Sequence, residues 1–342
     1  RIFCVKFKKP SGVWIMAYTE IDDPSAYFQT KLYTAADAYT FDGNSDMQPD
    51  FVWIKERNGT NEHNLFDSVR GTTKRLESST NAAEQTSSTT LTAFGSDGFT
   101  VGNNGGTGQN GGNYVGWGWK KSATPGFDIV AFTGNGSART ISHSLSAVPK
   151  MYIVKNRSTG STQWRVYHAS LGATKHMALD ATQAIGDAAS VFNDTEPTSS
   201  VFSVGTDDAA NKNGDSLIAY LFADKQGYSK FGSYIGNGNV DGTFVYTGFK
   251  PAFIMTKQTD GTDWWVINDN KRDPFNASTY GLRPNDSAAE SSDEAWTKDL
   301  LSNGFKHRTA NSGSNGSGNE YIYMAFAENP FVTSTGVPAT AR

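Results

Sequence analysis

The amino-acid sequence predicts an all-β protein that consists of three tandem β-sandwich repeats of about 100 residues each. Three observations support this prediction: a composition rich in aromatic residues and glycine, apolar residues that alternate with a period of two, and a set of landmarks that occurs three times. Short apolar runs separated by Gly, Asn, Asp and Ser are typical of a β-sandwich or jelly-roll.

The composition excludes several classes of protein. Of 342 residues, 13% are aromatic, 19% are charged and 35 are glycine. This aromatic fraction argues against a disordered chain, and the formal net charge of −4 argues against a nucleic-acid binder that relies on positive charge. The single cysteine, Cys4, excludes an internal disulfide and a cysteine-based zinc site. No apolar run is long enough to span a bilayer, so we expect synthesis in a cytoplasm without membrane insertion.

One strand motif occurs three times along the chain. In residues 49–55, 149–155 and 251–257, a proline is followed by a polar or small residue, an apolar run, and a lysine six positions after the proline. In the first copy Phe51 and Trp53 alternate with Val52 and Ile54, which predicts a strand with both faces partly covered. Each copy is closed by an aromatic strand: Tyr114–Trp119, Leu217–Phe222 and Tyr321–Phe326.

The turn ahead of each proline motif differs between the copies. Gly-Asn-Gly stands at residues 134–136 and 236–238, fifteen positions before the second and third prolines. The first copy has Ala-Ala-Asp at residues 35–37 instead, so it lacks the turn glycines.

These landmarks divide the chain into five parts. A lead-in, residues 1–26, is followed by a first segment, residues 27–122, a second, 126–226, a third, 229–331, and a tail, 332–342. The joints at 122–126 and 225–227 are short and turn-like, so we expect the segments to touch their neighbours in a rigid row.

Six stretches between about residues 20 and 342 have a distinctive sequence: Ile21–Phe28, Pro49–Arg57, Leu65–Lys74, Phe94–Gly102, Gly232–Gly238 and Ala325–Phe331. They resemble a repeat family of virion and tail-fibre proteins from bacteriophages of marine bacteria. The resemblance implies a concanavalin-like or lectin-like β-sandwich and brings no catalytic residues with it. Family members tend to begin just ahead of the Asp-Asp-Pro-Ser stretch of residues 22–25, where Met16 stands, so Met16 is the expected natural start and residues 1–15 are expected to be upstream read-through.

The resemblance also implies a function, location and partners. We expect a non-enzymatic virion component, in a tail fibre or receptor-binding appendage, that attaches to the host surface and its glycans through repeated loops. A homotrimer in contact with other virion proteins is the arrangement common to such fibres. Two alternatives stay open: a carbohydrate-binding or glycan-degrading protein, and a head-decoration or coat protein without a host ligand.

Signatures of enzymes and cofactor sites are missing from the sequence. There is no Gly-x-Ser-x-Gly elbow, no phosphate loop and no His-Glu-x-x-His, so we expect no enzymatic activity, no cofactor and no metal. His168 and His176 are eight positions apart across a turn and are either a weak metal pair or surface or half-buried histidines. Asp263 and Asp269 come nearest to the paired carboxylates of a glycosidase.

Candidate ligand-binding residues lie beside polar turns. Trp164, Trp264 and Trp265 either stack on sugar rings, with Asp263 as a hydrogen-bonding partner, or pack between units or between subunits. Adjacent strand residues point to opposite faces, so Trp264 and Trp265 cannot both face their own core. The loop of residues 102–112, with Asn104 and Asn110 as candidates, is either a long hairpin tip or a contact surface.

The three lysines that end the proline motifs form a last group. Lys55, Lys155 and Lys257 each follow a buried-looking strand, so we expect their charges to reach water past the edge of the sheet.

Overall fold

The computed structural model describes residues 6–8, 14–16 and 18–339, and 40% of the chain is strand against 6% helix. The all-β prediction is therefore confirmed. Most of the predicted read-through stretch, including residues 1–5 and 9–13, lies outside the described residues. In the lead-in, two short strands pair with each other, and a 3-10 turn spans Pro24–Ala26. The two strands are β1, Lys6–Lys8, and β2, Trp14–Met16.

The first segment forms a six-stranded sheet and a three-stranded sheet, in which all pairs are antiparallel. Its strands are β3, Phe28–Tyr33; β4, Ala38–Tyr39; β5, Phe51–Glu56; β6, Asn64–Asp67; β7, Lys74–Glu77; β8, Gln85–Thr86; β9, Leu91–Phe94; β10, Phe99–Val101; and β11, Tyr114–Trp119. The large sheet has the order β3-β11-β5-β6-β7-β8, and the small sheet has the order β4-β10-β9.

The second segment forms a six-stranded sheet and a two-stranded sheet. Its elements are β12, Phe127–Thr133; β13, Arg139–Ser142; β14, Met151–Asn156; β15, Arg165–His168; β16, Lys175–Ala178; β17, Gly186–Asp187; α1, Ala189–Phe192; β18, Val201–Val204; α2, Asp208–Asn211; and β19, Ser216–Phe222. The large sheet has the order β12-β19-β14-β15-β16-β17, and β13 pairs with β18.

The third segment has a four-stranded sheet, a three-stranded sheet and a two-stranded ribbon. Its elements are β20, Ser229–Ile235; β21, Phe244–Tyr246; β22, Phe249–Gln258; β23, Val266–Asp269; β24, Tyr280–Gly281; β25, Ser291–Ser292; a 3-10 turn, Glu294–Trp296; β26, Lys298–Leu301; β27, Gly304–His307; α3, Ser312–Asn315; and β28, Glu320–Pro330. The sheets have the orders β20-β28-β22-β23 and β21-β27-β26, and β24 pairs with β25.

The closing aromatic strand occupies the same place in each large sheet. β11 lies between β3 and β5, β19 between β12 and β14, and β28 between β20 and β22. Every residue of Tyr114–Trp119 is buried, because this strand has a hydrogen-bonded neighbour on each side and a covered surface on each face.

The apolar side chains form three local cores and one shared core. The local cores lie within residues 33–114, 141–223 and 234–327, one in each segment. The shared core draws buried residues from all three segments, among them Trp53, Ile153 and Phe253. Alternating side chains of one strand therefore enter two different cores: Phe51 and Trp53 the shared core, Val52 and Ile54 the local one.

Contacts between the segments close into a cycle. The Trp164 indole of the second segment donates to the Glu77 carbonyl of the first at 3.0 Å, and Trp265 of the third donates to Ala178 of the second at 2.9 Å. Trp117 of the first segment donates to the Asp269 carboxylate of the third at 3.0 Å. The expected row of units is therefore wrong, because every segment touches both others around one apolar centre.

Candidate functional site

A cleft of about 330 Å³ opens between the first and third segments. The buried part of its lining includes Phe28 and Thr30 on strand β3, Ala252 on β22 and Ala327 on β28. Backbone pairing leaves one side of β3 open, since its only strand partner in the large sheet is β11. The cleft therefore lies along an exposed sheet edge, where the third segment supplies the opposite wall.

Thr30 carries a hydroxyl that no hydrogen bond satisfies among the described residues, although only 5% of the residue is exposed. The strand register places Thr30 opposite Trp117, and the corresponding residues opposite Tyr220 and Met324 are Ile129 and Phe231. Both of these larger residues fill the shared core. A polar residue at this position therefore leaves an unpaired buried hydroxyl where the other segments have apolar packing.

The wall from the first segment is held rigid by local hydrogen bonds. Asp23 caps the 3-10 turn Pro24–Ala26, and its carboxylate accepts from the Ser25 hydroxyl and from the Ser45 hydroxyl, both at 2.6 Å. The Gln29 amide group donates to the carbonyls of Ser25 and Ser45 and accepts from the Gly43 backbone at 2.7 Å. This side chain thereby fixes the loop of residues 43–45 against the turn that begins the segment.

The wall from the third segment also neutralises its own charge. The Asn270 amide donates to the Glu328 carboxylate at 2.7 Å, and the Lys250 ammonium lies 3.6 Å from the same oxygen. Lys271 lies at the exposed rim. The charged groups deep in this wall are therefore paired with protein groups.

A longer loop in the third segment borders the cleft. The chain takes 13 residues from Asp269 to Leu282 but 9 from Asp67 to Leu76, the corresponding stretch of the first segment. The longer loop carries Pro274, which lines the cleft, and then Phe275, which is 77% exposed.

The cleft offers hydrogen-bonding groups above an apolar floor. No histidine or cysteine lines it, and within residues 18–339 no cluster of three or more His, Cys, Asp or Glu side chains is placed to hold a metal ion. The Asp23 carboxylate already accepts hydrogen bonds from two hydroxyls. The arrangement therefore suits recognition of a polar ligand better than acid–base chemistry.

Trp164 and Trp265 do not offer a ring face to a ligand. They are 0% and 1% exposed, and both indoles donate to a backbone carbonyl of the preceding segment. Packing between units is therefore the correct interpretation of these two tryptophans. Sugar stacking on them is wrong, because the shared core covers both rings.

The neighbouring candidates also have roles within the protein. Trp264 is half-buried, and the Arg283 guanidinium lies 4.6 Å from its ring centroid. The Asp263 backbone N–H donates to the Thr182 carbonyl at 2.9 Å. Its carboxylate accepts from the Trp264 N–H at 2.7 Å, while Asp269 is fully buried against Arg272. The two aspartates are therefore not a catalytic pair, because one of them has no access to a substrate.

The glycine-rich loop places its two candidate residues differently. The Asn104 side-chain oxygen accepts from the Gly106 N–H at 3.0 Å, so it stabilises the turn, and Asn110 is exposed. Neither residue lines the cleft.

The expectation that the three motif lysines reach water is wrong. Lys55, Lys155 and Lys257 are all 0% exposed, and burial lowers the pKa of each to about 8. Their ammonium groups donate to backbone carbonyls: Lys55 to Gly59 at 2.9 Å, Lys155 to Thr162 at 2.5 Å and Lys257 to Gln258, the last residue of its strand, at 2.6 Å. Carbonyl oxygens therefore take the place of water around these groups.

The two histidines that were candidates for a metal pair, His168 and His176, contact different parts of the protein. The His168 ring contacts the Tyr323 carbonyl of the third segment at 3.2 Å, and burial lowers its pKa to about 4. His176 lies against Gly186 of the neighbouring strand. The expectation of surface or half-buried histidines is also wrong, because both side chains are buried by the strands around them, His168 at 1% and His176 at 8% exposure.

Sequence reasoning missed Thr30, Asn270 and the other cleft residues. The sequence did contain a signal for Thr30. When the first strands of the three segments are aligned, Thr30 stands at the same position as the apolar residues Ile129 and Phe231. The turn Asp23–Ser25, which belongs to a stretch that carries the phage resemblance, also lines the cleft. What the sequence alone did not show is that residues 270–274 and 327–329 lie opposite them.

Comparison with known proteins identifies a family without a known role. The family described as Domain of unknown function (DUF7483) matches residues 23–330. No curated protein gives a significant match.

None of the helices in the described part of the chain has the length and apolar character to cross a membrane.

Proposed function

The chain belongs to the DUF7483 family, and we propose that it is a non-enzymatic structural component of a bacteriophage particle that attaches to the host surface. The resemblance of Ile21–Phe28 and the other stretches to virion and tail-fibre proteins supports this proposal. The observation that carries it is the shared core, since three segments that bury one another form a rigid body suited to a tail fibre or receptor-binding appendage. A homotrimer and contacts with other virion proteins belong to the same proposal.

We also propose that the three segments are copies of one β-sandwich unit. The common position of the closing strand supports this, as does the place of the proline motif beside it. So do the buried ends of the motifs, where Lys55, Lys155 and Lys257 each donate to backbone carbonyls.

The cleft is the attachment site we favour within this function. The Asn104 side chain of the loop at residues 102–112 stabilises its own turn, whereas the cleft offers polar side chains around a concave site of about 330 Å³. Under this proposal the chain attaches to the host through one cleft, and not through several similar loops as the sequence analysis expected.

Labelling of intact particles tests the proposal. Gold-conjugated antibodies against this chain should mark the tail or its fibres, and quantitative mass spectrometry of purified virions should find a few to tens of copies. Label over the whole capsid, with hundreds of copies, would identify a coat protein. Particles without the chain would refute a role in the virion.

A carbohydrate-binding protein outside the particle is the second candidate. The polar cleft favours binding over cleavage, because Asp269 is inaccessible and Asp23 is held by two hydroxyls. We expect no release of reducing ends from host polysaccharide, and measurable hydrolysis would contradict this.

A further inference from the structure

We propose that a groove at the boundary between the second and third segments binds an arginine side chain of a partner protein. The groove has a volume of about 430 Å³. The second segment lines it with Ser170 and Leu171, and the third segment lines it with Ile235, Thr259 and Glu320 among others. This inference rests on the proposed function for the identity of the partner, a neighbouring protein of the particle, whereas the binding itself is a property of the isolated chain.

The backbone connects neighbouring segments in the same way at all three boundaries. One backbone N–H donates to the carbonyl of the residue that stands eight positions after the motif proline of the next segment in the cycle. The three hydrogen bonds run from Glu84 to Arg157 at 2.9 Å, from Ile185 to Thr259 at 2.9 Å, and from Glu290 to Arg57 at 2.7 Å. The side chains at the three boundaries can therefore be compared position by position.

An arginine–glutamate bridge occupies this place at two of the boundaries. Between the second and first segments, Arg157 donates to the Glu84 carboxylate at 2.8 and 3.0 Å. Between the first and third segments, Arg57 donates to the Glu290 carboxylate at 2.7, 3.1 and 3.2 Å. The common backbone arrangement therefore accommodates a guanidinium group that binds a carboxylate across the boundary.

The second–third boundary has uncharged residues in the same places. Thr259 and Ile185 stand where the bridging arginine and glutamate stand elsewhere. Leu171 stands where Arg70 and Arg272 approach those glutamates at the other two boundaries. Because Leu171 and Thr259 both line the groove, the groove lies beside positions that guanidinium groups occupy elsewhere in the molecule.

The third segment places an apolar residue and an acidic residue together at this groove. Ile235 and Glu320 are cross-strand partners on β20 and β28, and the matching pair of the second segment is Thr133 and Ser216. Ile235 is 63% exposed, and Glu320 is exposed as well. Both side chains are therefore accessible to a partner, and the second segment has neither chemistry at the matching positions.

The groove has a negative charge that the protein does not neutralise. The Glu320 carboxylate makes no hydrogen bond or ion pair with the described residues, and its backbone N–H donates to the Asp260 carboxylate at 3.1 Å. No lysine, arginine or histidine of the described chain lines the groove. Lys257, two residues before Thr259, is buried and donates to the Gln258 carbonyl at 2.6 Å. The groove therefore favours a positively charged ligand.

An arginine side chain suits this combination better than a metal ion or a lysine. Calcium takes roughly six to eight oxygen ligands, which a single free carboxylate does not supply. A guanidinium group is planar, is more weakly hydrated than an ammonium and presents several donors to a carboxylate. Its aliphatic stem packs on apolar residues such as Ile235 and Ile322. The partner therefore presents an arginine next to an apolar residue.

Short peptides with blocked ends test the inference on the full chain. The probes have arginine, lysine or citrulline between two leucines, and they are titrated up to about 10 mM by calorimetry and ligand-detected NMR. We expect the arginine peptide to bind with a Kd of about 1 mM or lower. The citrulline peptide has a similar shape without the charge and should bind about fivefold more weakly. The lysine peptide should also bind less tightly than the arginine peptide.

Two matched single variants separate the groove from the rest of the surface. Glu320→Gln removes the free carboxylate from an exposed side chain, so it should weaken binding of the arginine peptide about fivefold and leave the melting temperature unchanged. Glu20→Gln makes the same change at an exposed position of the lead-in and should bind like the wild type.

A double variant fills the groove from within the chain. Thr259→Arg with Ile185→Glu copies the bridge between Arg157 and Glu84, so it should abolish peptide binding in a protein that still folds. Thermal unfolding of the double variant checks the fold, and Glu320→Gln keeps the test decisive if the double variant does not fold.

The inference is overturned if the arginine peptide does not bind, if the citrulline peptide binds equally well, or if Glu320→Gln binds like the wild type. Equal binding of the lysine peptide would overturn the choice of arginine. Particle labelling is independent of these results. A chain that labels the tail but binds no arginine peptide loses the inference and keeps the proposed function, and a chain that binds the peptide but is absent from particles does the reverse.

Discussion

Lys298 is a buried lysine without a hydrogen-bond partner in the described part of the chain. Burial alone lowers the pKa of its ammonium to about 7. It pairs across the sheet with His307, whose two ring nitrogens are also unpaired and whose pKa burial holds well below its usual range. The corresponding cross-strand pair of the first segment is Leu91 and Val101. The third segment therefore carries two titratable groups where an apolar pair suffices.

Replacing this pair should stabilise the protein. We expect Lys298→Leu with His307→Val to raise the free energy of unfolding by about 1–4 kcal/mol, because apolar contacts replace polar groups that are desolvated without partners. Urea denaturation measures the change. The reciprocal variant, Leu91→Lys, should destabilise the first segment, and equal stability of all three proteins would contradict this account of the pair.

The buried lysines also determine how stability depends on pH. The folded-state pKa values of about 8 for Lys55, Lys155 and Lys257, and about 7 for Lys298, lie below the value near 10.4 of an unfolded chain. Between these values the unfolded state binds more protons than the folded state, so stability rises with pH. Above pH 10 the trend reverses, since burial raises the pKa of tyrosines such as Tyr220.

Unfolding free energy should therefore increase from about pH 7 to about pH 10, by up to roughly 1 kcal/mol per pH unit for each lysine. Denaturant titrations at pH 7, 8, 9 and 10 measure the slope. In the Lys298→Leu variant the slope should be smaller. A stability that falls steadily above pH 7 would show that these ammonium groups are solvated.

At the scale of the elements, the strands could be predicted from the sequence. Which segment packs against each apolar face of a strand could not. Alternation in residues 51–55 predicted a strand with both faces covered, as observed in Phe51–Glu56. Period-two patterning shows that a face is apolar and does not show which segment covers it. Trp53 lies in the same shared core as residues that are distant in sequence, such as Phe253. The burial of Lys55 could not be predicted for the same reason, because the turn that covers it contains no apolar pattern.

The boundaries between segments use two kinds of chemistry. Asp67 with Arg70, and Asp269 with Arg272, form fully buried ion pairs at the first–second and third–first boundaries. The Tyr220 hydroxyl and the Trp117 indole of the adjoining segment donate to these aspartates. The second–third boundary has His168 and Leu171 at the matching positions and lacks the ion pair. The boundaries therefore differ in charge although their strand register agrees.

Breaking one buried pair should be costly. We expect Arg272→Leu to lower the free energy of unfolding by about 3–5 kcal/mol, because Asp269 is left buried without its cation. Adding Asp269→Asn should recover part of the loss, since the uncompensated charge is removed. Arg308→Leu, at a half-exposed pair, should change stability by about 1 kcal/mol or less. Urea denaturation compares the three, and equal losses would contradict the role given to burial.

For the whole molecule, the recurring landmarks could be predicted and their closure around one core could not. The landmarks lie within each hundred residues, whereas the contacts that join Trp117 to Asp269 span 152 positions. The cleft depends on the same long-range arrangement, because β3 and residues 327–329 meet only after the first and third segments join. The candidate site therefore lies where the local sequence pattern carries the least information.

Differential scanning calorimetry of the full chain tests the shared core most directly. Three segments that bury one another should unfold in a single transition whose calorimetric and van't Hoff enthalpies agree, a ratio close to one. Three separate transitions, or a calorimetric enthalpy about three times the van't Hoff value, would show that the segments fold independently and that the common core does not hold them together.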